Sequence, residues 1–336
     1  MIRQEKGGKE MKRWPWLLCF FLLTGSSIPP SGHAAADYPN KPVEMIIGFG
    51  PGGAADVAAR LVSGYVSKKW GQPINVINMP GASGIIGTRH TLAAKPDGYT
   101  LMMDNHAVSA MLAASQIDLP FKWENRTVIA RVTVDPVFYL VKQDSPWKDL
   151  KAVAENIRKN PKVYRWGVAG VTAVGAYATP QFLEVNNLPF DSLNRVVFKS
   201  GAEVVTALAG GHIDLATQQY SEATGLILAK KVRGLAVVNT ERLPELSDIP
   251  TAKEAGYPNL NVYGWQGVSG PPQLPKEVIE KWDKVLKEAS KDPAFLEQAA
   301  KIYKIVAYLG PKEFWEFMQD EYKRYLPLAI KMGMRK

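Results

Sequence analysis

The run Val43–Ile47 is apolar and strand-like. Gly48-Phe49-Gly50-Pro51-Gly52-Gly53 follows it, and an alanine-rich helical segment from Ala54 to Val66 begins without a linker. A strand, a glycine turn and a helix joined this tightly commit the chain to an α/β fold. Such a corner also gathers unpaired backbone N–H groups and the positive end of a helix dipole at one point, where an anion binds without a charged side chain. The design recurs in Ile74-Asn75-Val76-Ile77-Asn78-Met79-Pro80-Gly81-Ala82-Ser83-Gly84-Ile85. Two such turns close together predict a cleft lined by amides and suited to carboxylate or phosphate.

Further strand-like runs alternate with helical ones, which predicts largely parallel sheets. Strands are expected at Thr100–Met103, Val137–Val141, Tyr164–Val168, Arg195–Phe198, Ile213–Thr217 and Leu235–Val238. Helices are expected at Trp147–Lys159 and Val174–Val185. The tail from Lys276 to Met332 reads as mostly helical, with Val278, Ile279, Trp282 and Leu286 at core-facing spacing.

Lys12 and Arg13 precede an apolar run from Trp14 to Leu23, and small residues ending in His33-Ala34-Ala35-Ala36 follow. That order reads as a secretory signal peptide cleaved near Ala34 to Ala36, with residues 1–36 removed. It marks the mature chain for export from the cytoplasm. Met11 is an alternative start. The single cysteine, Cys19, lies in this segment, so disulfides and thiol catalysis are excluded from the mature chain. The whole chain carries a net charge of +9; residues 1–36 hold five basic and two acidic groups, leaving +6. The excess is dispersed, which favours anions in general and argues against a nucleic-acid surface.

Gly48-x-Gly50-x-x-Gly53 has the letters of a dinucleotide fingerprint. However, Pro51 interrupts it, and the next strand ends in Asn78 where a ribose-binding acid belongs. Tyr65 and Lys69 are spaced like a reductase pair but follow the glycine turn directly. A nicotinamide-dependent oxidoreductase is therefore a remote alternative. His90, His106 and His212 are scattered without metal-ligand spacing, and no serine sits in a nucleophile elbow. The residues imply no enzyme, no metal and no cofactor. Asp56, acidic in a first helical turn, is expected to face the loop amides. His106, beside Asn105 at a strand end, is expected near a pocket.

The chain as a whole resembles the substrate-binding proteins of tripartite tricarboxylate transporters, the Bug receptors. The resemblance rests on Asp37-Tyr38-Pro39-Asn40-Lys41-Pro42-Val43, on the two glycine loops, and on Ala94-Lys95-Pro96-Asp97-Gly98-Tyr99-Thr100-Leu101. It rests also on Gly210-Gly211-His212-Ile213-Asp214 and on Ile249-Pro250-Thr251-Ala252-Lys253-Glu254-Ala255-Gly256, all in family order. It implies a two-lobed α/β fold of the type II periplasmic-binding-protein kind. Two mainly parallel sheets would be flanked by helices, with a ligand cleft between the lobes. Residues 37–139 plus 260–336 would form the first lobe and 140–259 an inserted second, with crossings near Phe138 to Val141 and Asn259 to Gly264.

The implied function is capture of a small organic carboxylate, a di- or tricarboxylate or an aromatic acid, for delivery to membrane transporter subunits. The protein would act as a monomer, closing about a hinge. A ligand-presenting partner of a signalling system is the alternative within the same fold. By the resemblance, ligand contacts would come from Phe49, Gly50, Pro51, Gly52, Gly53, Ala54, Ala55 and Asp56 of the first loop and Ala82, Ser83 and Gly84 of the second. Asn105 and His106 would add to these. The second lobe would supply Gly170, Val171, Thr172 and Ala173, and Gln218 and Gln219. The chain departs from the family pattern at Gly50, at Ala176-Tyr177 and at Gln218-Gln219, where many members carry an acid. Neutral Gln218 argues against an amino-acid ligand.

Overall fold

A computed structural model describes residues 38–335. The expected signal peptide and its cleavage site lie outside the described residues. Among those described, no helix is long and apolar enough to cross a membrane.

Among the described residues, eleven strands form two sheets. The first contains β1 (Val43–Ile47), β2 (Ile74–Asn78), β3 (Thr100–Asn105), β4 (Thr127–Asp135), β10 (Gly264–Gly270) and β11 (Ile305–Leu309), in the order β11-β4-β10-β3-β1-β2. The second contains β5 (Val137–Lys142), β6 (Arg165–Val168), β7 (Asn194–Val197), β8 (Leu215–Gln219) and β9 (Val232–Val238), in the order β7-β6-β8-β5-β9. The sheets are mixed rather than mainly parallel. Parallel pairing is confined to β2-β1-β3 and β7-β6-β8, the βαβ parts. The strands next to the crossings, β4, β10, β5 and β9, pair antiparallel, because the chain enters each sheet from the other rather than through a helical crossover.

Pro136 alone separates β4 from β5. It has no N–H to offer either ladder, so the strand breaks there and changes sheet. The return crossing spans residues 239–263. The expected junction near Val141 falls within β5, which belongs to the second sheet throughout.

Among the described residues, ten α-helices cover the sheets. They are α1 (Ala54–Trp70), α2 (Ile85–Leu92), α3 (Ala110–Ser115), α4 (Leu150–Lys159), α5 (Val174–Val185), α6 (Gly201–Ala209), α7 (Tyr220–Leu228), α8 (Lys276–Ala289), α9 (Pro293–Lys301) and α10 (Pro311–Lys331). Each sheet has its own core. Ala58, Val62 and Val66 of α1 pack with Met45, Leu101 and Val268 of the first sheet and with Trp282 of α8. Phe138, Leu140, Tyr177, Phe182, Val204 and Leu215 centre the second. Helix α10 serves both. Phe314 and Met318 pack on Trp265 beside the first sheet, whereas Tyr325 and Ala329 join the second core. The Tyr325 ring lies 5.1 Å from that of Tyr177.

Three strands escape the sequence reading. β4 carries no distinctive turn signal. β10 is Gly-Trp-Gln-Gly-Val-Ser-Gly, a poor strand by propensity. Its glycines admit close neighbours: a Cβ at Gly267 would meet the Ala130 carbonyl and the Phe314 ring. β11 is a half-buried edge strand enclosed by helices.

Candidate functional site

A cavity of about 30 Å³ lies where the two sheets face each other. Phe49, Gly53, Ala54, Ala55, Asn105, His106, Ala107 and Gln266 line it from the first sheet's side. Ala169, Ala173, Val174, Gly201, Gln218, Gln219 and Glu222 line it from the second. That volume holds two or three waters.

The first glycine loop supplies the N-terminus of α1. Val57 N–H donates to Gly53 O at 3.0 Å, closing the first turn, and the Ala54 N–H is left to point outward. It donates to Glu222 Oε1 at 2.9 Å. Asp56 faces the other way. Its Oδ2 accepts from Gly52 N–H and Arg60 Nε, each at 3.0 Å. Its Oδ1 accepts from Arg60 Nη2 and Asn78 Nδ2, each at 2.9 Å. Burial pushes this carboxyl up, but the bonds from Arg60, Gly52 and Asn78 outweigh it and hold it below the ordinary range. Asn78 Nδ2 also reaches Phe49 O at 3.1 Å. Asp56 thus shapes the loop from behind, out of contact with the cavity. Gly50, Pro51 and Gly52 likewise lie off its wall; Gly50 N–H donates to Lys199 O at 3.2 Å, bridging to the second sheet's side.

The second glycine loop and its counterpart, Gly170 to Thr172, meet each other rather than the cavity. Val171 N–H donates to Ser83 Oγ at 2.9 Å, and Thr172 Oγ1 donates to Ala107 O at 3.0 Å. Thr172 is fully buried, so its hydroxyl closes the gap between the sheets. Gly84 packs against Gly48 and Val108, and Ala82, Ser83, Gly84, Gly170, Val171 and Thr172 all sit outside the lining. The helix after the second-sheet loop starts at Val174, with Ala173 as its N-cap, so the helix start facing the cavity is three residues beyond Gly170.

Asn105 and Gln218 approach from opposite sheets. Asn105 Oδ1 accepts the Ala107 N–H at 2.9 Å, which directs its amide nitrogen away. Both Asn105 Nδ2 and Gln218 Nε2 are buried without a hydrogen-bond partner. Gln219 Oε1 accepts from Gln266 Nε2 at 3.0 Å. Gln266 Oε1 in turn accepts from Thr133 Oγ1 at 2.6 Å and Lys304 Nζ at 2.8 Å. Lys304 is paired with Asp135, whose carboxylate also takes the Ser221 N–H at 3.0 Å and the Ser221 hydroxyl at 2.8 Å. This buried network ties the β4–β5 crossing to α7.

His106 is buried, and burial lowers its imidazole to about pH 3, so it is neutral. Its Nδ1 accepts the Trp265 N–H at 3.2 Å, which leaves the proton on Nε2. Glu222 goes the opposite way. Burial raises its carboxyl, the Ala54 N–H opposes, the Asp135 charge raises it further, and the result is about 7. The cavity is therefore rich in N–H donors from backbone and amides, and Glu222 is the one carboxyl side chain of its lining.

Sequence reasoning missed Ala107, Val174, Gly201, Glu222 and Gln266. Glu222 carried a readable signal: Gln219-x-x-Glu222 has capping-box spacing, and Gln219 N–H donates to Glu222 Oε2 at 3.4 Å. Gln266 lies on the strand that went unpredicted. Tyr65, the reductase-like residue, donates to Asp292 at 3.0 Å on the far side of α1. Among the described residues, no cluster of three or more His, Cys, Asp or Glu side chains could hold a metal ion.

Residues 58–334 match the family model described as the tripartite tricarboxylate transporter family receptor. The chain is similar to a UPF0065 protein from the TAR-I ttuE-ttuC' intergenic region of Agrobacterium vitis, at 31% identity over 84% of this chain and 80% of that one. Among solved structures it is similar to the periplasmic binding protein BugD, with 27% identity and a TM-score of 0.83 over 89% of this chain and all of that one. It is also similar to MatC from Rhodopseudomonas palustris, solved with bound malate, with 25% identity and a TM-score of 0.81 over 87% of this chain and all of that one.

Proposed function

The chain belongs to the tripartite tricarboxylate transporter receptor family, and on that premise we propose that it captures a small organic carboxylate in the cavity between its sheets and delivers it to transporter subunits in the membrane. The observation that carries this reading is the pair of buried, unpartnered amide donors, Asn105 Nδ2 and Gln218 Nε2, aimed at one cavity from the two sheets. A buried donor left unpaired costs about 1–3 kcal/mol. A carboxylate accepts only, through two oxygens, and satisfies both donors at once. The α1 N-terminus adds backbone N–H groups and its dipole. Malate bound in MatC supports the same ligand class here.

A cavity of about 30 Å³ does not hold a four-carbon acid, so the sheets part to admit one and close on it. Parting breaks the Val171–Ser83, Thr172–Ala107, Gly50–Lys199 and Tyr177–Met111 hydrogen bonds. The hinges are Pro136 and the 239–263 crossing. A thermal-shift screen of the mature chain with mono-, di- and tricarboxylates, including aromatic acids, tests the reading. At least one acid should raise the melting temperature in a saturable way; no response across the panel would refute it.

A further inference from the structure

The cavity that the receptor reading gives to a guest already holds an anion of the chain's own. Glu222 stands in the first turn of α7, and its Oε1 accepts the Ala54 N–H of α1 at 2.9 Å. Its carboxylate lies against Gly201, the first residue of α6, where an added Cβ would fall inside it. Ala173 and Val174, at the start of α5, line the same space. Three helix N-termini, those of α1, α6 and α7 itself, therefore meet at one carboxyl group, and each favours negative charge. The missing side chain at position 201 cuts the seat to fit. Glu222 nevertheless leaves Asn105 Nδ2 and Gln218 Nε2 unpartnered, so the cavity is built for one acceptor more than the chain provides.

We infer that Glu222 is the ligand-selecting residue of this cleft: its carboxylate takes the seat at the starts of α1 and α6 that a guest carboxylate needs, so an acid enters with Glu222 neutral and a proton taken up from solvent. This rests on the receptor reading and narrows it. The ligands selected are acids without a cationic group, because an ammonium would instead favour the charged Glu222. The groups around Glu222 are few. Asp135 at the end of β4 repels its charge and Lys304 attracts it, but these two are paired with each other. His106 is neutral. Glu203 of α6 is turned to the Lys199 N–H and Glu245 to the Tyr220 hydroxyl. With burial dominant, Glu222 takes its proton near pH 7, within reach of ordinary conditions.

Calorimetry with succinate, malate and citrate at pH 6 and pH 8 tests this on the mature wild type and on Glu222→Gln. A group titrating near 7 that must be neutral weakens binding about tenfold between those pH values. The variant carries only the acid's own ionisation, so the wild-type ratio should exceed the variant's by that factor, and the variant should bind more tightly at pH 8. Equal ratios in the two proteins would overturn the inference while leaving the receptor reading intact. Binding of none of these three acids to either protein would overturn the inference, and no response to any acid of the wider panel would overturn the receptor reading as well. Carbon NMR of glutamate-labelled protein provides an arm free of ligand. Glu222 should titrate near 7 in the wild type and fall towards the ordinary value of about 4.3 in Gly201→Ala, where the seat is filled. Titration near 4.3 in the wild type would overturn the inference.

Discussion

Replacing Gln218 by methionine should raise stability and lower affinity together. Gln218 lies on β8, 1% exposed, and its Nε2 has no partner. Methionine has nearly the same length and shape and no polar atom, so it removes the orphan donor without leaving a hole. The orphan costs about 1–3 kcal/mol. A cavity with room for two or three waters allows partial hydration, which puts the gain near the low end, about 1 kcal/mol. In a chain of this size that corresponds to a rise of about 2 °C in melting temperature. Binding moves the other way. A hydrogen bond to a charged group contributes about 1.5–3 kcal/mol, so losing it should weaken a bound carboxylate roughly 10- to 150-fold. Differential scanning calorimetry without ligand and titration calorimetry with it measure the two effects on the same preparation. A variant that melts lower than wild type and binds with unchanged affinity would refute the reasoning, because Gln218 would then be a structural residue already satisfied. Asn105 is a poorer target, since its Oδ1 also holds the Ala107 N–H and its loss would disturb the backbone.

Asp56→Ala should lower both stability and affinity, because it strands the Gly52 N–H and frees Asn78 and Arg60; Arg60 is exposed and contributes little, so the loss should be about 1–3 kcal/mol in a denaturant melt at pH 7. The folded carboxyl is held below its unfolded value. Its contribution is therefore complete above the ordinary aspartate range and is lost only as pH falls below that range, so the difference between wild type and variant should shrink at acid pH. Gly84→Ala should destabilise the second loop, as φ is +90° there and a Cβ would collide with Val108; a melt indistinguishable from wild type would contradict that. Tyr177→Phe removes the hydroxyl that donates to Met111 O at 2.7 Å and pairs with Ser115 at 2.6 Å. It should enlarge the unliganded radius of gyration in X-ray scattering, and an unchanged curve would mean that this contact does not hold the sheets together.

The parts legible in the sequence are those where local pattern and tertiary role agree. The β1–α1 corner reads directly because apolar strand, glycines and alanine-rich helix each favour the state they adopt. Helix α5 begins at Val174 and ends at Val185, as its pattern indicates. What stayed hidden depends on contacts distant in sequence. Gly264–Gly270 becomes a strand because β3 and β4 flank it, and nothing local announces that. The same holds for the site. Asn105 was legible as a strand end, and Gln218 and residues 53–55 of the first loop through the family resemblance, but Glu222 reaches the Ala54 N–H across 168 residues, and its position follows only from how the sheets face each other. Thr172 and Gly170 sit near the cleft as their loop suggests, yet the cross-cleft bonds occupy them and the cavity wall passes to Ala173 and Val174.

The central claim is that a carboxylate binds between the sheets on the α1 N-terminus and the two free amides. The most direct test is a titration of ¹⁵N-labelled mature protein with the acid that stabilises it most, following the backbone N–H of Ala54 and Ala55 and the side-chain NH₂ groups of Asn105 and Gln218. All four should shift together and saturate with the calorimetric Kd. Saturable binding that leaves these resonances in place, and moves others instead, would contradict it.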